Sequence, residues 1–175
     1  MNTTPAPTGP AGGAPTIPVV VDASFVDEHP DAVVVDVRWY LDGRDGRAAY
    51  ETGAVWVDLE HQLAAHGAPA TEGRHPLPTP EHFAAAMGSL GIGDHTTVVA
   101  YDDMGGLTAG RLVVMLRMLG REAALLDGGL GAWTGAVHTG WVEPTPTAFT
   151  AAPWPTDRLA SADEACMAAA NRPSA

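Results

Sequence analysis

Short apolar runs rich in β-branched residues alternate along the chain with segments whose apolar residues repeat at helical spacing. Residues 32–37 (AVVVDV) and 97–101 (TVVAY) are uninterrupted runs of the kind that predicts strands buried on both faces. Residues 79–91 and 107–119 have helical periodicity, and the first of these segments opens with a threonine and a proline, a typical helix start. The alternation predicts an α/β domain with a parallel sheet of about five strands and helices on both faces. Ligand sites are then expected at the carboxyl ends of the strands.

Weaker patterns predict the other elements and the ends of the domain. Proline, glycine, threonine and alanine dominate residues 1–16, which predicts a disordered tail, and the domain itself is expected over residues 17–139. Residues 140–157 are proline-rich and predict an extended linker, with one exposed helix after it. Further strands are predicted at 18–22, 54–59 and 123–126, and short helices at 23–29, 47–51 and 130–134.

Charge and composition exclude several classes of function. The net charge of −12 argues against nucleic acid or an anionic membrane surface as a partner, because phosphates would be repelled. All nine cationic side chains are arginine, so Schiff-base chemistry and lysine-dependent phosphate sites are excluded. No apolar run approaches the length of a membrane span, and the first residues do not resemble a secretory signal, so we expect a cytoplasmic protein. The single cysteine, Cys166, lies beside acidic residues that disfavour its thiolate.

The most informative chemical pattern follows the strand predicted at 97–101. The chain passes through Asp102 and Asp103, then Gly105 and Gly106, and enters a helix. A glycine loop between a strand and a helix directs backbone amides toward an anion, yet here the chain itself supplies two carboxylates. We expect this loop to fill its own anion cradle, with a carboxylate accepting the amides at the helix start. The alternative is a paired-carboxylate site for acid–base chemistry or a metal.

Four segments of the chain form a recognisable ordered set. They are VVVDVRWYLDGRDGRAAYETG (33–53), GRHPLPTPEHFAAAMGSLGIG (73–93), the aspartate loop (97–119) and LDGGLGAW (126–133). Together these segments resemble a rhodanese domain. More narrowly, the likeness is to the first domain of tandem thiosulfate or 3-mercaptopyruvate sulfurtransferases, and it covers residues 19–160. The resemblance implies a rhodanese-like fold in which a second domain carries the persulfide-forming cysteine, while Asp102 occupies the equivalent loop position of the first.

This resemblance implies a function as well. The family moves sulfur from thiosulfate or 3-mercaptopyruvate through a cysteine persulfide, and an aspartate cannot carry that sulfur. We therefore expect a sulfurtransferase-family domain that is inactive alone, with no catalytic residue, metal or cofactor of its own. Residues 140–175 would be a linker and the truncated start of a second domain. The expected partner is a catalytic rhodanese domain, either that missing half or a separate chain, and a small sulfur donor would bind only with it. The alternatives are an interaction or regulatory module, or a truncated product without independent function.

Three positions are candidates for an interdomain or substrate-facing role. Trp39 follows the Asp36-Val-Arg38 pattern, whose charged residues the resemblance assigns to internal contacts, and the family places this aromatic toward the partner domain. Without that domain, Trp39 is expected to be an exposed apolar site. Leu107 stands where arginine or threonine is usual.

Arg111, the third candidate, lies one turn into the predicted helix. We expect it to pair with Asp102 or Asp103, and the alternative is a substrate carboxylate bound across a domain boundary. One departure from the family concerns folding, because the chain runs directly from Gly53 to Ala54 where roughly four more residues are usual. The shortened connection is expected to strain the sheet or shift a strand register.

Overall fold

Five parallel strands form the centre of the computed structural model, which describes residues 14–42, 53–133 and 142–170. The strands are β1 (Val20–Val21), β2 (Val33–Asp36), β3 (Val55–Trp56), β4 (Val98–Tyr101) and β5 (Ala123–Leu126). The sheet order is β1-β5-β4-β2-β3, and every strand pairing is parallel, so the predicted sheet of about five strands is confirmed. The helices are α1 (Ala23–Glu28), α2 (Pro80–Ser89), α3 (Ala109–Met118) and α4 (Ala162–Ala170).

The β-branched runs of β2 and β4 occupy the middle of the sheet. Val35 pairs with Val55 on one side and with Ala100 on the other, and all four residues of β4 are buried. The chain moves outward from β2 to β3, then crosses back to place β4 on the opposite side of β2. The carboxyl ends of β2 and β4 therefore flank the point where the winding reverses, which is where sheets of this kind bind ligands.

Apolar clusters cover both faces of the sheet, as the continuous apolar strands predict. On one face, α2 and α3 pack through side chains that include Phe83, Met87 and Leu116, all fully buried. On the other face, Tyr101 and Val99 belong to a smaller cluster to which α1 contributes partly buried side chains. The helices thus lie on both faces, in agreement with the sequence pattern.

Helix α2 begins as its sequence predicts. The Thr79 side chain accepts a hydrogen bond from the backbone amide of His82 at 3.2 Å, and Pro80 occupies the first helical position. Helix α3 begins at Ala109, two residues later than predicted, and its preceding residue Thr108 provides no side-chain cap within the helix. A residue outside α3 must therefore satisfy its first amides.

Several predicted segments differ from the structure. The strand predicted at 54–59 is shorter, and the helix predicted at 130–134 is a 3-10 helix at Gly129–Ala132, with residue 134 outside the described residues. The helix predicted at 47–51 also lies outside the described residues. Thr16, which the sequence places in the tail, donates hydrogen bonds to the Glu122 carboxylate at 2.9 Å, while residues 1–13 of that tail lie outside the described residues.

The connection before β3 contains a left-handed glycine. Gly53 has a φ of +74°, and nothing lies within 4 Å of the β-carbon position that another residue would occupy there. Ala54 is buried next to it, and β3 continues in parallel register with β2. The glycine supplies the turn that a short connection requires.

Candidate functional site: an amide cradle filled by Asp102

A single buried carboxylate lies at the carboxyl end of β4. Asp102 is 2% exposed and accepts five hydrogen bonds. One carboxylate oxygen accepts the amides of Met104 at 2.9 Å and Gly106 at 2.7 Å. The other accepts the amide of Thr108 at 2.8 Å, its hydroxyl at 3.0 Å, and the amide of Ala109 at 2.9 Å. Asp102 is thus the residue that caps α3, as expected for an aspartate in this loop.

Glycines allow the loop to close around this carboxylate. Gly105 and Gly106 have φ values of +69° and +86°, which only glycine adopts without strain. A β-carbon on Gly106 would lie 2.7 Å from the Leu125 side chain. One on Gly129, in the loop after β5, would lie 2.4 Å from the Asp102 carbonyl oxygen. The two loops at the carboxyl ends of β4 and β5 are therefore packed backbone to backbone.

The amides keep Asp102 ionised. Burial alone would raise the pKa of this carboxyl, since it disfavours the charged form. The hydrogen bonds from the amides of Ala109, Gly106, Met104 and Thr108 outweigh it and hold the pKa below the ordinary aspartate value. The cradle therefore holds an anionic group that belongs to the chain itself.

Asp103 turns in a different direction. Its exposed carboxylate accepts a hydrogen bond from the Tyr40 hydroxyl, which follows the carboxyl end of β2. The two adjacent aspartates therefore contact different partners, and the geometry does not support the alternative of a paired-carboxylate site. Among the described residues, no group of three histidine, cysteine or acidic side chains is placed to hold a metal ion.

A buried ion pair supports the neighbouring strand end. Asp36 is fully buried and accepts the Arg38 guanidinium at 2.9 Å, the Arg38 amide at 3.0 Å and the Tyr101 hydroxyl at 3.0 Å. Burial opposes the charge on Arg38, but the hydrogen bond and charge of Asp36 hold its pKa above the ordinary value. These residues lock β2 to β4, which is the scaffold role that the sequence predicts for Asp36 and Arg38.

Arg111 does not pair with either aspartate, so that prediction is wrong. Its guanidinium donates to the carbonyl oxygens of Leu63 at 2.8 Å, His75 at 2.9 Å and Pro76 at 3.3 Å. Burial lowers the pKa of this guanidinium from its ordinary value. The side chain ties the segment between β3 and α2 to the first turn of α3, and carbonyl groups rather than carboxylates balance its charge.

Trp39 is half-buried, so the expectation of an exposed apolar site is also wrong. Its ring meets the His75 ring edge to face, with centroids 5.3 Å apart, and the Arg74 guanidinium lies 5.5 Å from the ring centroid. Neither Arg74 nor His75 is predicted from the sequence as a neighbour of Trp39. One sequence feature could have indicated this contact. Prolines follow Arg74 and His75 closely, and they favour an extended backbone that can cross the carboxyl ends of the strands.

Three apolar side chains near the loop are exposed instead. Leu41 is 75% exposed, Met104 45% and Leu107 69%. The hydrogen bond between Tyr40 and Asp103 joins the two backbone segments that carry Leu41 and Met104. We call these three residues the apolar rim. Leu107 is a candidate from the sequence for an interdomain or substrate-facing role, whereas Leu41 and Met104 are not predicted.

A cavity of about 460 Å³ opens between the two glycine loops. Asp102, Asp103 and Asp127 line it together with glycines of both loops and the ends of β5. The side chains of Asp103 and Asp127 are exposed, so the mouth of this cavity is negatively charged. Cys166 lies exposed on α4 and is not among the groups that contact the Asp102 carboxylate.

Comparisons with known proteins agree with this architecture. No protein-family model matches the chain. One relative is SseB of Mycobacterium tuberculosis, which carries the name of a thiosulfate sulfurtransferase. It is 38% identical over 130 residues, which cover 70% of this chain and 45% of that protein. The human 3-mercaptopyruvate sulfurtransferase is also 38% identical over 130 residues, covering 67% of this chain and 42% of the relative. The chain therefore spans less than half the length of these curated relatives.

The solved structures give the same result. The crystal structure of SseA from Escherichia coli, a 3-mercaptopyruvate sulfurtransferase with the rhodanese fold, superimposes with a TM-score of 0.72 at 25% identity. The match covers 87% of this chain and 62% of that one. None of the described helices is long and apolar enough to cross a bilayer. The chain belongs to the rhodanese-like domains of the thiosulfate and 3-mercaptopyruvate sulfurtransferases, as its sequence motifs predict.

Proposed function

We propose that this chain is the non-catalytic first domain of a tandem-type sulfurtransferase and does not transfer sulfur by itself. The observation that carries the proposal is the Asp102 carboxylate, which takes up four backbone amides and a hydroxyl at the end of β4. In an active rhodanese loop, such amides stabilise a cysteine thiolate and then its persulfide. A carboxylate oxygen cannot accept and release a sulfane sulfur in that way.

The electrostatics around the loop support the same conclusion. Thiosulfate and 3-mercaptopyruvate are anions, and the cavity beside the cradle is lined by Asp103 and Asp127. Arg111, the candidate for a substrate-binding cation, directs its guanidinium to carbonyls of the chain. No arginine is among the described residues that line the cavity, so an anionic donor would meet repulsion there.

The test is a sulfurtransferase assay on the purified chain, with thiosulfate and cyanide or with 3-mercaptopyruvate and a thiol. We expect no turnover above the uncatalysed reaction from the wild-type chain or from Cys166→Ser. Turnover that is present in the wild type and lost in Cys166→Ser would refute the proposal, because Cys166 is the only thiol in the chain.

A second candidate function is an interaction module that binds a catalytic rhodanese domain. The apolar rim favours it, since three large apolar side chains are exposed beside the filled cradle. Trp39 precedes Leu41 of the rim by two residues. A small sulfur donor would bind only at the composite site that the partner completes. The partner is a catalytic rhodanese domain, either the other half of a tandem enzyme or a separate chain.

Binding to such a domain can be measured by calorimetry with matched variants. Leu107→Asp is expected to weaken association at least tenfold, because a charge would enter the apolar rim. Val114→Asp is the control, since Val114 is similarly exposed on α3 but lies outside the rim. Equal affinities for the two variants would exclude the rim as the docking surface.

A further inference from the structure

We propose that residues 145–154 form a strap that completes the core of this domain and fixes where the following chain leaves it. The sequence predicts an extended linker here, and the segment does lack regular secondary structure. Its contacts are nevertheless those of a docked element. These contacts are independent of whether the chain transfers sulfur.

Polar contacts attach the strap at three levels along α2. The Thr147 amide donates to the Gly88 carbonyl at 2.9 Å. The Thr150 amide and hydroxyl donate to the Asp94 carboxylate at 2.8 and 2.5 Å. The indole nitrogen of Trp154 donates to the Pro78 carbonyl at 2.7 Å. The Arg121 guanidinium lies 2.7 Å from the same Asp94 oxygen that accepts the Thr150 amide, so this acceptor is itself held in place.

Glycines allow the backbone of the strap to approach. A β-carbon on Gly88 would lie 2.7 Å from the Thr147 carbonyl oxygen, and one on Gly93 would lie 3.1 Å from that of Ala148. Gly88 lies inside α2, where glycine costs about 1 kcal/mol relative to alanine. Backbone contact with the strap gives a physical reason for a glycine at a position where helix propensity favours alanine.

Apolar side chains of the strap belong to the main core. The ring of Phe149 meets Phe83 edge to face at 5.8 Å, and the ring of Trp154 lies 5.2 Å from Phe83. Phe83 is completely buried, and Ala152 is 8% exposed within the same cluster. The Arg121 guanidinium covers the outer face of Phe149 at 5.2 Å. Removing the strap would expose this side of α2 to water.

The path of the strap has a direction. Asp94, which binds Thr150, precedes β4 and therefore lies at the edge of the sheet where the strands begin. Pro78, which binds Trp154, follows the segment whose His75 contacts Trp39, so it lies where the strands end. The strap therefore carries the chain along α2 to the edge that bears the Asp102 cradle. The chain after Pro155 therefore starts from that edge.

Paired helical glycines test whether the strap is docked. Gly88→Ala should lower the midpoint of thermal unfolding by roughly 5 °C or more, because the new methyl group collides with the strap backbone. Gly110→Ala is the matched control, since Gly110 lies in α3 with nothing within 4 Å of its β-carbon position, and its midpoint should stay level or rise. Equal behaviour of the two variants would overturn the proposal.

If Gly88→Ala fails to fold, hydrogen exchange on the unmodified chain tests whether the strap is docked. The amides of Thr147 and Thr150 should exchange at least a hundredfold more slowly than in an unfolded peptide. Exchange at the unfolded rate would show that the segment is a free linker.

The exit point can be located with a spin label at Asp157→Cys in a Cys166→Ser background. The label should broaden amide signals of residues 73–77 and leave those of residues 93–97 sharp. The reverse pattern, or equal broadening, would contradict the path described.

Discussion

The Asp102 carboxylate accepts the backbone amide of Ala109, the first residue of α3, at 2.9 Å, although seven positions separate the two residues. The intervening loop folds back so that a side chain from the end of β4 caps the helix that follows it. The carboxylate also binds the amides within the loop. One residue thus organises the loop and neutralises the positive end of the helix dipole.

Removal of this carboxylate should destabilise the domain. Asp102→Ala leaves buried amides without an acceptor, and we expect the free energy of unfolding to fall by about 2–4 kcal/mol. Asp103→Ala is the control, because the Asp103 side chain is exposed, and its effect should stay within about 0.5 kcal/mol. Chemical denaturation measures both. Similar losses for the two variants would contradict the role assigned to Asp102.

Stability should depend on pH through Asp102. Its pKa is lower in the folded chain than the unfolded value of about 3.9, so the unfolded state binds more protons in the acid range. The stabilisation is present above that unfolded value and is lost as the pH falls through the folded pKa. The difference in unfolding free energy between wild type and Asp102→Asn should therefore grow with rising pH and level off above about pH 5. A difference that is constant between pH 2.5 and pH 6 would disprove this coupling.

Much of this arrangement can be predicted from the sequence, and the reason is local. The β-branched runs specify β2 and β4, the threonine and proline at 79 and 80 specify the start of α2, and an aspartate before a glycine loop predicts a cap. Each of these sequence patterns determines the structure of residues within about seven positions of itself. Such local patterns do not specify which distant segments of the chain come into contact.

Arg111 shows why the other predictions failed. Its guanidinium has the same sequence context whether it binds Asp102 or the carbonyls of a loop that lies 35 to 48 residues earlier in the chain. Trp39 is covered by Arg74 and His75, whose position depends on that same loop. The packing of Phe149 and Trp154 against the core could not be predicted, because the prolines around them are typical of an extended linker. Tertiary packing, not local propensity, decides these three cases.

The role of Arg111 can be tested by substitution. Arg111→Ala should lower the free energy of unfolding by about 1–3 kcal/mol, because the Leu63 and His75 carbonyls lose their donors. Arg111→Lys should recover only part of the loss, since an ammonium cannot reproduce the planar fork. Arg158→Ala, at an exposed arginine, controls for the change of charge. A full recovery by lysine would show that charge alone matters there.

The cradle should stabilise another anion in place of the carboxylate. In a Cys166→Ser background, Asp102→Cys places the only thiol among the amides that now bind Asp102, and its pKa should fall below the ordinary value of about 8.5. Asp103→Cys in the same background should keep an ordinary pKa, because Asp103 lies outside the amide cradle. The pH dependence of alkylation reports both values. Indistinguishable profiles would show that the cradle does not favour a thiolate.

We propose that residue 102 presents an oxygen anion at the loop position where sulfur transfer needs a thiolate. The intact mass of the wild-type chain after incubation with thiosulfate or with 3-mercaptopyruvate tests this proposal. We expect an unchanged mass, because the amide cradle holds the Asp102 carboxylate and not a thiol. A stable gain of one sulfur atom in the wild type that is absent from Cys166→Ser would contradict it.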